Sequence, residues 1–170
     1  MCLVRPLRSD PAWQAGNYTE PYACKLGLIR IANVFALMGV CSAFYKQEHW
    51  KRLGFESLDA LMVGFWEAWF APMDPNALLV QAKKWKTGDS SKQHSGNLAK
   101  ALGSIQAKTF VIAFEEDMFV PVQDCKYEQN LIPNSELKVV SSLMGHFAML
   151  GLFEEDFQHI DNFFRELLQN

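Results

Sequence analysis

Two short runs are the only strand candidates in this chain, and a helix-length segment separates them. Thr109-Phe110-Val111-Ile112-Ala113-Phe114 and Leu137-Lys138-Val139-Val140-Ser141 are rich in β-branched and apolar residues and too short for helices. Val122 to Leu131, stopped before Pro133, reads as the helix that joins them. Strands joined in this way lie parallel, with a right-handed crossover. A two-stranded parallel sheet is a poor core, because parallel sheets are normally covered on both faces and contain more strands. The fold class is therefore α/β, and residues 105–170 are expected to form the edge of a larger sheet whose other strands are not in this chain.

The residues ahead of the strands read as helices. Residues 1–24 are irregular, with Asp10-Pro11, Gly16-Asn17 and Glu20-Pro21 as turn formers and Trp13, Tyr18 and Tyr22 between them. Lys25 to Gln47 is mostly apolar and predicts one long helix. Ser57 is a candidate N-cap before Leu58, Leu61, Met62, Phe65, Trp66 and Trp69, which recur at the spacing of one helical face. Asp74-Pro75 opens a further helix with Leu78, Leu79, Ala82 and Trp85 on one side. Lys86 to Gly96 reads as a loop and Asn97 to Leu102 as a short helix. The last helix, Leu152 to Gln169, puts Phe153, Phe157, Ile160, Phe164 and Leu167 on one face and Glu154, Glu155 and Asp156 in its first turn, where the helix dipole favours acids.

Length and charge narrow the function classes. With 170 residues there is room for one domain of the usual ~150. Sixteen Lys and Arg against nineteen Asp and Glu give a net charge of -3, which offers no positive field to a nucleic acid. The four cysteines, Cys2, Cys24, Cys41 and Cys125, never form C-x-x-C, so neither a disulfide framework nor a zinc ribbon is indicated and a reducing cytoplasm fits. His49, His94 and His159 show no metal-site spacing, and no metal is expected. The N-terminus has no apolar stretch suited to a secretory signal. Leu26 to Phe44, the one segment that could mimic a membrane span, is interrupted by Arg30 and Asn33 and reads as a packed helix.

Chemistry concentrates where α/β enzymes keep it, at the C-terminal ends of parallel strands. Glu115, Glu116 and Asp117 follow the first strand, and Gly145-His146 follows the second. A carboxylate and an imidazole brought from neighbouring strand ends can pair, the carboxylate fixing the ring tautomer and stabilising the imidazolium. An exposed acidic turn and a histidine at a helix start is the other reading these residues allow.

The run Glu116-Asp117-Met118-Phe119-Val120-Pro121 and, about thirty residues on, Met144-Gly145-His146-Phe147-Ala148-Met149-Leu150 resembles the acid and base motifs of α/β-hydrolases, in particular the homoserine O-acetyltransferase-like branch. Ser9-Asp10-Pro11-Ala12-Trp13-Gln14-Ala15-Gly16-Asn17-Tyr18, the multi-helix insertion from Gly27 to Trp85, and Lys84-Trp85-Lys86-Thr87-Gly88-Asp89 agree with that branch. The resemblance covers nearly the whole chain, but only the C-terminal half of such an enzyme. It implies that Asp117 is the triad acid, His146 the general base and residues 25–104 a helical lid, with Glu115 and Glu116 solvated. Phe147, Trp66 and Trp69 are then candidate pocket residues, although aromatic residues on amphipathic helices are more often core.

The departures from the family pattern shape the expected activity. Phe147 stands where homoserine acetyltransferases typically carry Asp after the catalytic His, and Ala32 falls where a lid Arg is expected. An ester hydrolase with no cofactor, acting on small uncharged esters, is therefore expected ahead of an O-acetyltransferase using acetyl-CoA. No serine lies in G-x-S-x-G, the nucleophile elbow of this superfamily. The chain thus looks like a truncated or split reading frame, its partner being the missing N-terminal half or a second copy. A reading of another class is a non-catalytic half-domain that works only with a complementary chain. Gly39-Val40-Cys41-Ser42-Ala43 imitates an elbow and would give Cys41, Asp117 and His146 in the right order. Too few residues precede it for the flanking strands, so a buried structural cysteine is the expected role.

Overall fold

The computed structural model describes residues 4–169; Met1 and Cys2 lie outside them. Where length alone suggested one domain, the chain divides into two compact units, one of residues up to Leu37 with Tyr45–Gly88, the other of Met38–Phe44 with the residues from Asp89 onward.

The first unit is helical. Short α1 (Val4–Arg8) crosses α2 (Lys25–Met38) so closely that a Cβ on Gly27 would lie 3.0 Å from the Leu7 Cα. The intervening segment is fixed by polar side chains. Asp10 accepts from Ala12 N at 2.9 Å and from the buried Gly27 N at 2.7 Å. Trp13 Nε1 donates to Asn76 Oδ1, Asn76 Nδ2 donates to the Gly16 carbonyl, and the Tyr18 hydroxyl donates to Asp74. That hydroxyl holds the Asp74 carboxyl below its ordinary value, and burial raises Tyr18.

Instead of one helix from Lys25 to Gln47, α2 ends at Met38 and α3 (Ser42–Lys46) starts after a bend. Backbone bonds account for the break: Gly39 O accepts from Phe147 N at 3.3 Å and Cys41 N donates to Leu143 O at 3.4 Å, so both groups leave the helical ladder.

Ser57 caps α4 (Leu58–Leu61) as expected, accepting from Ala60 N at 3.0 Å. A π-helical turn, Met62–Glu67, then leads into α5 (Ala68–Phe70). The wider turn moves the buried face from Leu61 to Trp66 and Phe70, five and four residues apart, and leaves Trp69 39% exposed. Phe35 of α2 packs on Phe70 with ring centroids 4.9 Å apart. Tyr45 donates its hydroxyl to the Ala36 carbonyl, and burial pushes it up to about 12. Asp74 caps α6 (Pro75–Thr87), accepting from Ala77 N at 2.7 Å, and Trp85, expected on the apolar face, is exposed.

The second unit holds the sheet. Asn97 caps α7 (Leu98–Leu102) before β1 (Thr109–Phe114); α8 (Val122–Gln129) connects it to β2 (Ser135–Val140), two residues ahead of the expected start. The strands are parallel, with Thr109 opposite Ser135 and Phe114 opposite Val140. α9 (Glu154–Leu168) is tied to the sheet by Lys138, which meets Glu166 at 2.8 Å, Glu136 at 3.0 Å and the Phe110 ring at 4.3 Å. The expected apolar face of α9 is only partly covered: Phe153 is buried, whereas Phe157 and Phe164 are about half exposed. No helix among the described residues is long and apolar enough to cross a membrane.

Candidate active site

The site forms where the two strands end. β1 delivers Asp117 through a tight turn, with Asp117 N bonded to Phe114 O at 3.1 Å. The carboxylate then organises the chain beyond it, Oδ1 accepting from Phe119 N at 2.7 Å and Val120 N at 3.0 Å. β2 leads through Ser141-Ser142-Leu143-Met144 into a 3₁₀ turn, Gly145–Leu150, that carries His146. His146 Nδ1 meets Asp117 Oδ2 at 2.8 Å. A carboxylate whose other oxygen already accepts two amides requires Nδ1 to be the donor, which leaves Nε2 as the acceptor.

The pair is enclosed on the acid side and open on the base side, the Asp117 side chain being 5% exposed and that of His146 24%. Two rings pack on the imidazole, Phe119 at 4.8 Å and Phe147 at 6.3 Å centroid distance. A cavity of about 360 Å³ opens beside it, lined by Ile112, Phe114, Asp117, Val120, Cys125 and His146 with Met149 and α9 residues. Burial, with Glu128, Asp117 and Asp124 nearby, pushes the Cys125 thiol up, so it stays protonated and unreactive at neutral pH.

The other candidates fall elsewhere. Phe147 is buried against the imidazole and is not among the residues lining this cavity. Trp66 is enclosed in the core of the first unit at 1% exposure, while the partly exposed Trp69 packs its ring 6.0 Å from that of Phe65. Cys41 is half-buried and follows helix α2 across a bend, where an elbow needs a strand before it; neither the elbow nor the buried structural cysteine describes it. Glu115 is exposed, but Glu116, expected to be solvated, accepts from Ser141 Oγ and from Ser142 N, each at 2.7 Å. Asp156, expected as a helix-dipole acid, is 2% exposed and accepts from Ser142 Oγ at 2.9 Å. Only the adjacent Ser141-Ser142 at the strand end hinted at this cluster. Among the described residues no group of acids, histidines and cysteines is placed to hold a metal.

No family model matches the chain. It is 43% identical over 168 residues to the ethyl acetate hydrolase of Pseudomonas veronii, covering 99% of this chain and 48% of that protein. Its structure superposes on an acetylester hydrolase from Corynebacterium glutamicum with a TM-score of 0.96 at 42% identity, again over 99% of this chain and 48% of the other. A homoserine O-acetyltransferase of Emericella nidulans is 33% identical over 100 residues, 56% of this chain and 20% of that protein. The chain thus spans about half the length of the first two relatives.

Proposed function

Because the chain belongs to the α/β-hydrolase superfamily, we propose that Asp117 and His146 are the acid and the general base of a serine-dependent carboxylic ester hydrolase whose nucleophile and oxyanion hole come from a complementary half. The observation that carries this reading is the 2.8 Å contact between His146 Nδ1 and Asp117 Oδ2 at the ends of adjacent parallel strands. Held with its proton on Nδ1, the imidazole takes the serine hydroxyl proton at Nε2 as the oxygen attacks the ester carbonyl. Asp117 stabilises the imidazolium, which then protonates the departing alcohol. In the second half the same nitrogen takes a proton from water, and the acyl group leaves as the carboxylic acid. The substrate is a small ester with a short, uncharged acyl group, as the name of the Pseudomonas veronii relative suggests.

Within this reading residues 25–104 are the helical lid, and the Phe147 ring packs against the imidazole. The N-terminal half is the partner, ahead of a second copy, and a reducing cytoplasm fits the cysteines. The second reading is O-acetyl transfer to a small alcohol with acetyl-CoA as donor; similarity to the Emericella nidulans enzyme favours it, and Phe147 next to the base disfavours it.

The test is complementation. The chain is co-expressed with the part of the Pseudomonas veronii hydrolase that it does not match, and hydrolysis of an aryl acetate is measured on the purified complex. Activity that falls by about 10³-fold or more in His146→Ala supports the assignment. A stoichiometric complex without activity would favour the non-catalytic half-domain.

A further inference from the structure

The loop that carries His146 is not held by its strand alone. Ser142, at the exit of β2, donates its backbone N–H to Glu116 Oε2 at 2.7 Å and its hydroxyl to Asp156 Oδ2 at 2.9 Å, while its Oγ accepts from Met144 N at 3.2 Å. Glu116 adds a second grip through Ser141 Oγ at 2.7 Å. Glu116 is the residue before Asp117, and Met144 lies two residues before His146. One serine therefore couples the exit of β1, the first turn of α9 and the histidine turn. The turn closes on the same residue, with Gly145 N donating to Ser142 O at 2.9 Å.

We propose that Glu116 and Ser142, braced by the buried Asp156, are positioning residues that set the His146 to Asp117 distance; this rests on the reading of that pair as base and acid. Among the described residues the hydrogen bonds of Glu116 and Ser142 go to the strand exits, α9 and the turn rather than to the imidazole, so their effect passes through the backbone of 142–146. The chemistry suits the task. A carboxylate accepting a backbone N–H and a hydroxyl is stronger than a neutral acceptor and holds both donors in one plane. Three carboxylates crowd this strand end, and each has its own donors: Glu116 the two serines, Asp156 the Ser142 hydroxyl, and Asp117 two amides and the imidazole. Because Glu116 and Asp156 are occupied by the serines, the imidazole has a single carboxylate partner. That selects one ring orientation, as support around a catalytic group must do to within fractions of an ångström.

The test reads the imidazole itself, by NMR of the full chain. Wild type is expected to show a downfield His146 Nδ1 proton protected from solvent exchange. Glu116→Ala and Ser142→Ala should each speed that exchange about tenfold or more. Glu116→Gln should restore most of the protection, since an amide oxygen still accepts from Ser142 N while its NH₂ donates to Ser141 Oγ. Lys138→Met, which loosens the same unit away from the pair, should leave the signal in place. Equal loss in Lys138→Met would mean that general loosening governs the signal, and would overturn the proposal. Asp117→Asn separates the two readings: an unchanged signal there removes the pair itself. A signal lost in Asp117→Asn but unchanged in both Glu116→Ala and Ser142→Ala overturns the positioning role alone. If Glu116→Ala fails to fold, Ser142→Ala, which keeps the backbone N–H to Glu116, decides by the same criterion.

Discussion

His146 Nδ1 lies 2.8 Å from Asp117 Oδ2 although the residues are 29 positions apart, and the contact follows from the sheet register. β1 and β2 end opposite each other at Phe114 and Val140, with Glu115 N bonded to Val140 O at 2.8 Å. From that shared edge Asp117 is three residues out and His146 six. A short turn and a slightly longer loop therefore converge on one point without any adjustment of the strands.

Asp117 serves the imidazole with one oxygen and the 118–120 backbone with the other, so its substitutions should separate activity from stability. Asn keeps an acceptor for Phe119 N and Val120 N but sets the wrong tautomer on the ring, and in the complemented enzyme it should lower kcat by about 10³ to 10⁴ at little cost in stability. Asp117→Ala should lose similar activity and an additional ~1–2 kcal/mol of stability, because two amides lose their acceptor. Denaturant unfolding of the chain alongside ester hydrolysis by the complex checks both halves. Equal stability of the two variants would show that the turn does not depend on Oδ1.

Gly145 holds the histidine turn in a conformation that a side chain resists. Its φ is +52°, and a Cβ there would lie 3.0 Å from Glu116 O and 3.4 Å from Gly39 O. Gly96, at φ +80°, has nothing within 4 Å and serves as the control. Gly145→Ala should cost ~2–4 kcal/mol, strain plus displaced backbone, and Gly96→Ala ~1 kcal/mol. Matching losses in urea unfolding would contradict the close packing of the turn.

What the sequence made legible here is what depends on local pattern. The bounds of β1, the Ser57 and Asp74 caps, and the placement of Asp117 and His146 after successive strands follow from period and residue type. The break at Gly39 was not visible, because the bonds that replace the helical ladder come from Leu143 and Phe147, about a hundred residues away. The π turn at Met62–Glu67 was hidden for a related reason: Phe65, Trp66 and Trp69 suit a 3.6-residue period as well as a wider one, and only packing chooses Trp66 and Phe70. Glu116 reads as a solvated acid and Asp156 as a helix-dipole acid, since nothing in composition reveals that both accept from Ser142.

The first unit should have a stability plateau bounded by two groups. Asp74 is held below its ordinary 3.8 by the Tyr18 hydroxyl and by Ala77 N, so its contribution is present above that value and disappears as pH falls through its lower folded value. Tyr45 is raised from 10.0 to about 12 by burial, so its contribution is intact below the ordinary value and is lost as pH rises between them. Thermal midpoints across pH should show both limbs. Asp74→Asn should flatten the acid limb and Tyr45→Phe the alkaline one; a limb that persists unchanged in its variant belongs to other groups.

Substrate choice should follow the residue beside the base. With Phe147 rather than an acid next to His146, position 147 offers no carboxylate to a substrate ammonium, and the carboxylates at this strand end already hold their own donors, so a buried ammonium there is costly. The complemented enzyme should therefore show a kcat/KM for a short-chain acetate ester at least about tenfold above that for homoserine with acetyl-CoA. Direct comparison of the two constants tests this, and a preference for homoserine would return the chain to the transferase reading.

Without its complementary half the chain should show no triad-dependent hydrolysis. A base and an acid can move a proton, but the acyl intermediate needs a nucleophile, and the charge that develops on its oxygen needs preorganised donors; together these supply most of the acceleration in such reactions. Cys41 does not fill the gap, since the helix and bend before it do not hold its thiol on a strand-to-helix elbow. In an aryl acetate assay of the purified chain, His146→Ala, Asp117→Ala and Cys41→Ala should all match wild type at background turnover. Activity abolished by both His146→Ala and Cys41→Ala would instead make Cys41 a working nucleophile and the chain a self-sufficient enzyme.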